Sequence, residues 1–461
     1  MITKKTAEQV LSAALKTGGD FAEIFLEDRR SGALSLVDGH IEDAVNSRRH
    51  GAGIRIYQGL NSVYVHTNDT SLSGLLSAAS KAADAVTGGQ GGMRDVHLTR
   101  SVMRNIHEFS QLPMDVSGVR KAKLLQDANR AAKAVSDEIS QVRANLMSWD
   151  SDVVICNSEG LFTGDRRVYT RMAVNAVAAG KGETQSGHNA PGALMGYELF
   201  ETRVDPEEVA RIAANMAVTM LHADACPAGV MPVVIDGGFG GVIFHEACGH
   251  SLEATSVAFG DSEFSGKLGQ QIASPIVTAI DDGTMPNEWG STNIDDEGIP
   301  TTKLVLIENG ILKNYMIDRL NGRRMNMPST GSGRRQDYTF APTSRMRNTY
   351  IAPGEHDEGE IIASCPDGLY AKSMGGGSVN PVTGEFNFAV AEGYLIRNGK
   401  IDRPVRGATL IGKGAEVLMK IDRVGRKMWM SQGMCGSSSG SVPTNVGQPM
   451  IRLTDITVGG R

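Results

Sequence analysis

Val230-Met231-Pro232-Val233-Val234-Ile235-Asp236-Gly237-Gly238-Phe239-Gly240-Gly241-Val242-Ile243-Phe244-His245-Glu246-Ala247-Cys248-Gly249-His250 runs from a short apolar stretch through clustered glycines into two histidines around a glutamate. The stretch from Val230 to Ile235 predicts a buried strand, with Pro232 near its start, where a missing donor is tolerated. The glycines fit neither G-x-G-x-x-G nor a phosphate loop, and no Lys-Ser/Thr pair follows. They predict close packing of a helix start against other backbone.

His245, Glu246 and His250 form the residue set of a hydrolytic zinc site. Neutral imidazoles are nitrogen ligands, and the adjacent carboxylate can take a proton from water. The spacing is unusual. Histidines four apart lie about 40° apart around an α-helix, whereas five apart they lie about 140° apart. Two nitrogens so separated would not meet one metal, so the motif requires a locally widened helix such as a π-bulge. Gly249 stands where such a distortion costs the backbone least. The alternative is a core helix with hydrogen-bonded, inert histidines.

A zinc site with an open position needs a third protein ligand. Glu253 follows His250 by three residues, but its place on the helix suits an orienting or surface carboxylate better. His356 sits in the charged, loop-like Gly354-Glu355-His356-Asp357-Glu358-Gly359-Glu360, and His188 and His222 have no supporting pattern. Cys248 should face away and pack as a small hydrophobe. Cys435, in Ser431-Gln432-Gly433-Met434-Cys435-Gly436, follows a strand-like run and has glycines that let backbone approach a metal. A bound thiolate there would be deprotonated by the metal. Cys435 is the strongest candidate, and the others stay open on spacing alone.

At 461 residues the chain exceeds one core, so two or three domains are expected. A formal charge of −6 argues against general nucleic-acid binding. No apolar run is long enough to span a membrane, and no signal peptide is visible. Five irregularly spaced cysteines do not make a disulfide framework, so a cytoplasmic location is expected.

Helices are expected near 5–18, over 72–85 and over about 119–139, and one beginning at Asp205-Pro206-Glu207-Glu208, where an N-cap residue precedes proline and acids. Strands are expected over 21–26, 33–37, 53–57 and 62–66, with more through about 180. Residues 87–92 read as a flexible connection. Hairpins should turn at Glu308-Asn309-Gly310 and Arg397-Asn398-Gly399. The fold class is therefore α+β. An N-terminal unit over 1–225, possibly divided near 87–113, carries antiparallel sheet and long helices. A strand-rich catalytic unit over 226–461 is built around the metal-binding helix.

With Asp281-Asp282-Gly283-Thr284-Met285-Pro286, Asp295-Asp296-Glu297-Gly298-Ile299-Pro300-Thr301, Gly333-Arg334-Arg335, the run from Arg345 to Ile351, Met434-Cys435-Gly436 and Asn445-Val446-Gly447-Gln448-Pro449, the hexapeptide resembles the TldD/PmbA family of zinc metalloproteases. The resemblance implies zinc on His245, His250 and Cys435, with Glu246 as catalytic base. It implies the active, TldD-like branch, unfolded or small peptides as substrates bound as an added strand, and a dimer with itself or with a TldE/PmbA-like paralogue. Ser437-Ser438-Ser439 departs from the family pattern. Tyr338 and Arg345 are candidates for stabilising the oxyanion. Asp295-Asp296-Glu297 reads as a hydrogen-bonded turn rather than a second metal site. Two rivals remain: a zinc-dependent amidase acting on a small molecule, and a non-catalytic structural or regulatory subunit. Neither nucleic acid nor membrane is expected as a partner.

Overall fold

The computed structural model describes residues 2–86, 92, 94–380 and 382–460. Most of the expected connection at 87–92 lies outside the described residues. The helices start where the capping residues place them. Ser71 caps Leu72–Asp84 and Ser117 caps Gly118–Lys133, each accepting a backbone N–H with its hydroxyl. Asp205 accepts two N–H groups at the start of Pro206–Leu221. The third helix ends at Lys133, earlier than its apolar spacing suggests, because the chain enters a long strand at Ile139.

Strand lengths depart most from expectation. Phe21–Val37 is one strand of 17 residues, although the charged run Glu27-Asp28-Arg29-Arg30 splits it into two in the sequence. It pairs along nearly its whole length with His40–Gln58 on one side and Ile139–Asn157 on the other. Leu161–Gly180 continues the sheet beyond Ile139–Asn157. The charged middle is tolerated because its side chains find polar partners: Asp28 pairs with Arg48, Arg30 with Asp150, and Glu27 accepts the Ser151 hydroxyl. Helices Lys4–Ala14 and Leu72–Asp84 share one apolar core with the sheet, while Gly118–Lys133 and Pro206–Leu221 share another.

Gly229–Ile235 is the strand expected before the motif, buried only over Val233-Val234-Ile235 while Val230 is exposed, and it sits between Asp367–Val379 and Ile451–Gly459. Thr409–Lys413 and Glu385–Arg397 extend this sheet, and Glu385–Arg397 also pairs with Asp367–Val379, closing five strands into a ring. Against it lies a sheet of order Ile311–Leu312, Lys303–Glu308, Ala279–Asp282, Asn348–Ile351, Gly440–Gln448, Trp429–Ser437. Both Asn-Gly hairpins form, with positive φ at Asn309, Gly310, Asn398 and Gly399, as the tight mirror-image turn requires. The fold is α+β, with a strand-rich second half. Among the described residues no helix is long and apolar enough to cross a membrane.

The halves are joined by buried charge. Arg55 donates to Glu23 at 2.9 Å and to Glu297 at 2.6 Å; Arg335 donates to Glu23 at 2.7 Å; Arg167 donates to Asp296 at 2.6 Å. Asp295 accepts the N–H groups of Glu297, Ile299 and Gly333. The acidic triplet is thus a hydrogen-bonded turn that anchors the N-terminal sheet.

Candidate metal centre

The motif helix changes pitch three times. It opens as a 3-10 turn at Gly238–Gly241 and passes through α geometry at Val242–Phe244. It then widens to a π-helix at His245–Gly249 and closes as a 3-10 turn at His250–Leu252. The N–H of His250 reaches the carbonyl of His245, five residues back. This widening brings the two imidazoles together, with ring centroids 5.0 Å apart and planes at 81°. The glycines serve close packing. A Cβ on Gly241 would lie 2.6 Å from the backbone of Gly447, and one on Gly249 would lie 2.2 Å from the Met346 sulfur. Gly249 has ordinary helical angles (φ −56°), so space rather than backbone freedom requires glycine there.

Cys435 comes from the outer strand Trp429–Ser437, whose register with Gly440–Gln448 sets Cys435 opposite Val442. One donor atom each from His245, His250 and Cys435 lies within 4.8 Å of the others. The His250 Nε2 to Cys435 Sγ separation is 3.5 Å. Ligands around a tetrahedral zinc at 2.0–2.3 Å are roughly 3.3–3.8 Å apart. Burial works against a charged thiol at Cys435, but the His245 and His250 imidazoles outweigh it and push the thiol down to about 3. Nδ1 of His245 is buried with no hydrogen-bond partner. Two imidazoles and a poised thiolate therefore fit a divalent metal of zinc's preferences.

Glu246 is half-buried, its carboxylate 3.7 Å from His250 Nε2 and open to solvent on one side. Glu253 is not brought into the cluster as a ligand. Its Oε2 holds His250 Nδ1 at 3.1 Å and its Oε1 accepts the Met346 N–H at 3.2 Å. A carboxylate behind a ligating histidine fixes the ring's tautomer and direction.

The two oxyanion candidates have other work. Arg345 is fully buried and donates to the Ser439 hydroxyl at 3.0 Å, to the Gly440 carbonyl at 2.8 Å and to the Cys435 carbonyl. It clamps the turn that carries the cysteine and uses both terminal nitrogens to do so. Tyr338 lies on the N-terminal sheet, in an apolar cluster with Phe25, Val153, Ile155 and Ile294, its ring against Gly51. Among the described residues nothing joins it to the cluster. Cys248 is buried, and burial drives its thiol upward, with Glu263 adding to the effect. His188 bonds Asn175, His222 bonds Glu138, and His356 bonds the Val424 backbone. The clamp by Arg345 has no signature in the sequence; the Glu253 contact does, in its three-residue offset from His250.

With that geometry, the comparisons acquire a meaning at residue level. Residues 228–460 match the profile of the PmbA/TldA metallopeptidase C-terminal domain, 113–221 its central domain and 22–86 its domain 1. This chain belongs to the PmbA/TldD family. A metalloprotease TldD homologue of Haemophilus influenzae is 36% identical over 96% of this chain and 93% of its own length. A metalloprotease of Methanothermobacter thermautotrophicus is 32% identical over 96% of each. Two solved structures share the fold. A putative modulator of a DNA gyrase from Thermotoga maritima has a TM-score of 0.81 at 21% identity over 99% of both chains. TldE from Thermococcus kodakarensis has 0.79 at 18% identity, covering 99% of this chain and all of its own. The chain thus carries a metal-ready cluster within a family whose curated relatives are named metalloproteases.

Proposed function

We infer that this protein is a zinc-dependent metallopeptidase of the TldD-like branch, acting on unfolded or small peptides. The observation that carries the reading is the convergence of His245, His250 and Cys435 beside the accessible carboxylate of Glu246. Zinc bound there would supply a Lewis acid and make a nearby water more acidic. Glu246 accepts the proton from that water at its carboxylate and returns it to the leaving amine. Glu253 holds His250 in one orientation, and Arg345 holds the Cys435 backbone. Cys435 lies on the outer strand of its sheet, the kind of edge beside which an extended peptide is held by backbone hydrogen bonds.

The reading also includes a reducing, cytoplasmic setting, supported by five free cysteines, and a dimer with itself or a TldE-like chain, supported by the TldE likeness in fold. It divides the chain at 225–226, near the break between the family profiles at 221 and 228. A purely structural subunit would have no use for a half-exposed glutamate at the cluster.

The test is metal content by mass spectrometry together with hydrolysis of an unfolded peptide by the purified chain, alone and with a TldE-like partner. Glu246→Gln is expected to retain the metal and lose roughly 10²–10⁴-fold in kcat. Undiminished hydrolysis in that variant, or none by the unsubstituted protein in either setting, ends the reading.

A further inference from the structure

A cavity of about 290 Å³ lies between the middle of the N-terminal sheet and the hairpin that carries Cys435. Met434 and Val442, the chain neighbour and the cross-strand partner of the cysteine, form part of its wall. Arg29, Arg49, Arg167, Arg334 and Arg335 also line it. Three of these guanidiniums already have carboxylate partners: Arg49 in Asp337, Arg167 in Asp296, and Arg335 in Glu23. The other two do not. Arg334 donates to the carbonyls of Met346 and Pro443 and, among the described residues, has no ion pair, although Tyr169 and Asp296 support its charge from farther away.

Arg29 is the decisive side chain. Among the described residues it makes no hydrogen bond and no ion pair, and stacks over Trp149 at 4.6 Å. Among the described residues, the side-chain hydroxyls of Ser31, Ser441 and the exposed Ser47, which line the same pocket, have no partner either. Glu27 also reaches the cavity, but its carboxylate accepts the Ser151 hydroxyl and the Tyr338 N–H. Burial pushes Glu27 upward, towards its neutral form. Burial likewise works against the Arg29 charge, Glu27 partly restores it, and Arg49 adds to the strain. A partly open pocket with a spare guanidinium and hydroxyl donors offers an anion charge-assisted hydrogen bonds.

We propose that this cavity is an anion-binding subsite that seats a carboxylate of the bound peptide on Arg29, beside the metal centre. It rests on the peptidase reading and adds a substrate class: peptides with a carboxylate placed to enter the cavity. That carboxylate is either the C-terminus or an acidic side chain, and the two are separable.

Three peptides are titrated calorimetrically into the metal-loaded protein carrying Glu246→Gln, so that none is cleaved. One is a neutral alanine hexapeptide with a free C-terminal carboxylate. The second is the same peptide ending in an amide, and the third is the amide with one internal glutamate. At least one carboxylate peptide is expected to bind about 10-fold tighter than the neutral amide. The peptide that does so names the source of the anion. Arg29→Gln should erase the preference and Arg29→Lys should keep part of it. Met434→Glu, at a half-exposed wall position that tolerates change, should erase it without touching Arg29. Equal binding of all three, no binding of any, or a preference that survives Arg29→Gln or Met434→Glu in folded protein overturns the proposal. Hydrolysis by the unsubstituted protein is scored separately. A carboxylate preference without hydrolysis leaves the subsite standing and removes the peptidase.

Discussion

Two buried polar centres lie within this molecule, and they are built on opposite plans. In the network joining the halves, carboxylates and guanidiniums alternate: Glu23 faces Arg55 and Arg335, Glu297 faces Arg55, and Asp296 faces Arg167. Burial opposes the Arg55 charge, yet Glu23, Tyr57 and Glu297 outweigh it and hold the guanidinium above its ordinary range. The centre at His245, His250 and Cys435 has no such opposite number. Three donor atoms converge there with Glu246 alongside, and among the described residues no Lys or Arg stands among them. Against burial, Glu253 and Cys435 raise His250, and the imidazoles lower the Cys435 thiol. Guanidinium–carboxylate pairs hold a structure together, whereas converging imidazole and thiolate donors also suit a metal ion.

Removing one member should therefore have different consequences in the two places. Cys435→Ala is expected to abolish metal retention and lower hydrolysis by at least about 10³-fold while the protein stays folded, because the cavity it leaves is small. Metal analysis, peptide assay and circular dichroism on one preparation check this. Arg55→Met is expected to do the reverse. It leaves Glu23 and Glu297 buried without the cation between them, which costs roughly 3–5 kcal/mol of stability. The fraction that remains folded should still bind metal. A metal content well below the folded fraction of Arg55→Met protein would show that the two centres are coupled.

The same contrast explains what the sequence allows one to read. Two of the candidate metal ligands and the adjacent carboxylate sit in six residues, so their proposed chemistry and even the need for a π turn follow from spacing. Cys435 is 185 residues from His250, and only its glycine-rich surroundings and the family pattern single it out. The ion network is assembled from Glu23, Arg55, Arg167, Asp296 and Arg335, and no local period connects them. Nor does a local period reveal the length of Phe21–Val37, whose charged middle Glu27-Asp28-Arg29-Arg30 separates the two apolar runs expected as strands at 21–26 and 33–37. Arg345 is legible as a family residue but not as a clamp, since two of its partners are the backbone carbonyls of Cys435 and Gly440, which have no sequence signature.

A neutral contact between the halves offers a milder perturbation. His107 Nδ1 accepts the N–H of Asn287 at 3.1 Å, and burial pushes the imidazole down to about 4 from its ordinary 6.5, with Asp165 opposing the fall. The unfolded chain takes up a proton between pH 6.5 and 4 while the folded protein does not. The stability this contact gives is complete above pH 6.5 and falls as pH drops towards 4, by up to about 3 kcal/mol. His107→Gln keeps an acceptor and should remove that component. Denaturant midpoints for both proteins across this range would show it as a difference, and parallel curves would argue that His107 is protonated as easily as in water.

The smallest expected effect falls on the carboxylate behind the metal ligand. Glu253→Gln retains an oxygen for the Met346 N–H or for His250 Nδ1, but one amide oxygen cannot serve both as the two carboxylate oxygens do. The ring of His250 should lose its fixed direction while the backbone stays in place. Metal affinity is expected to drop about 10–100-fold, with thermal stability of the metal-free protein nearly unchanged. Competition with a chromophoric chelator measures the first and a melting curve the second. At saturating metal the variant should recover most of its activity, because Glu253 touches the ligand and not the substrate. A deficit in kcat that persists at full occupancy would place Glu253 in the reaction itself and leave His250 oriented by the π turn alone.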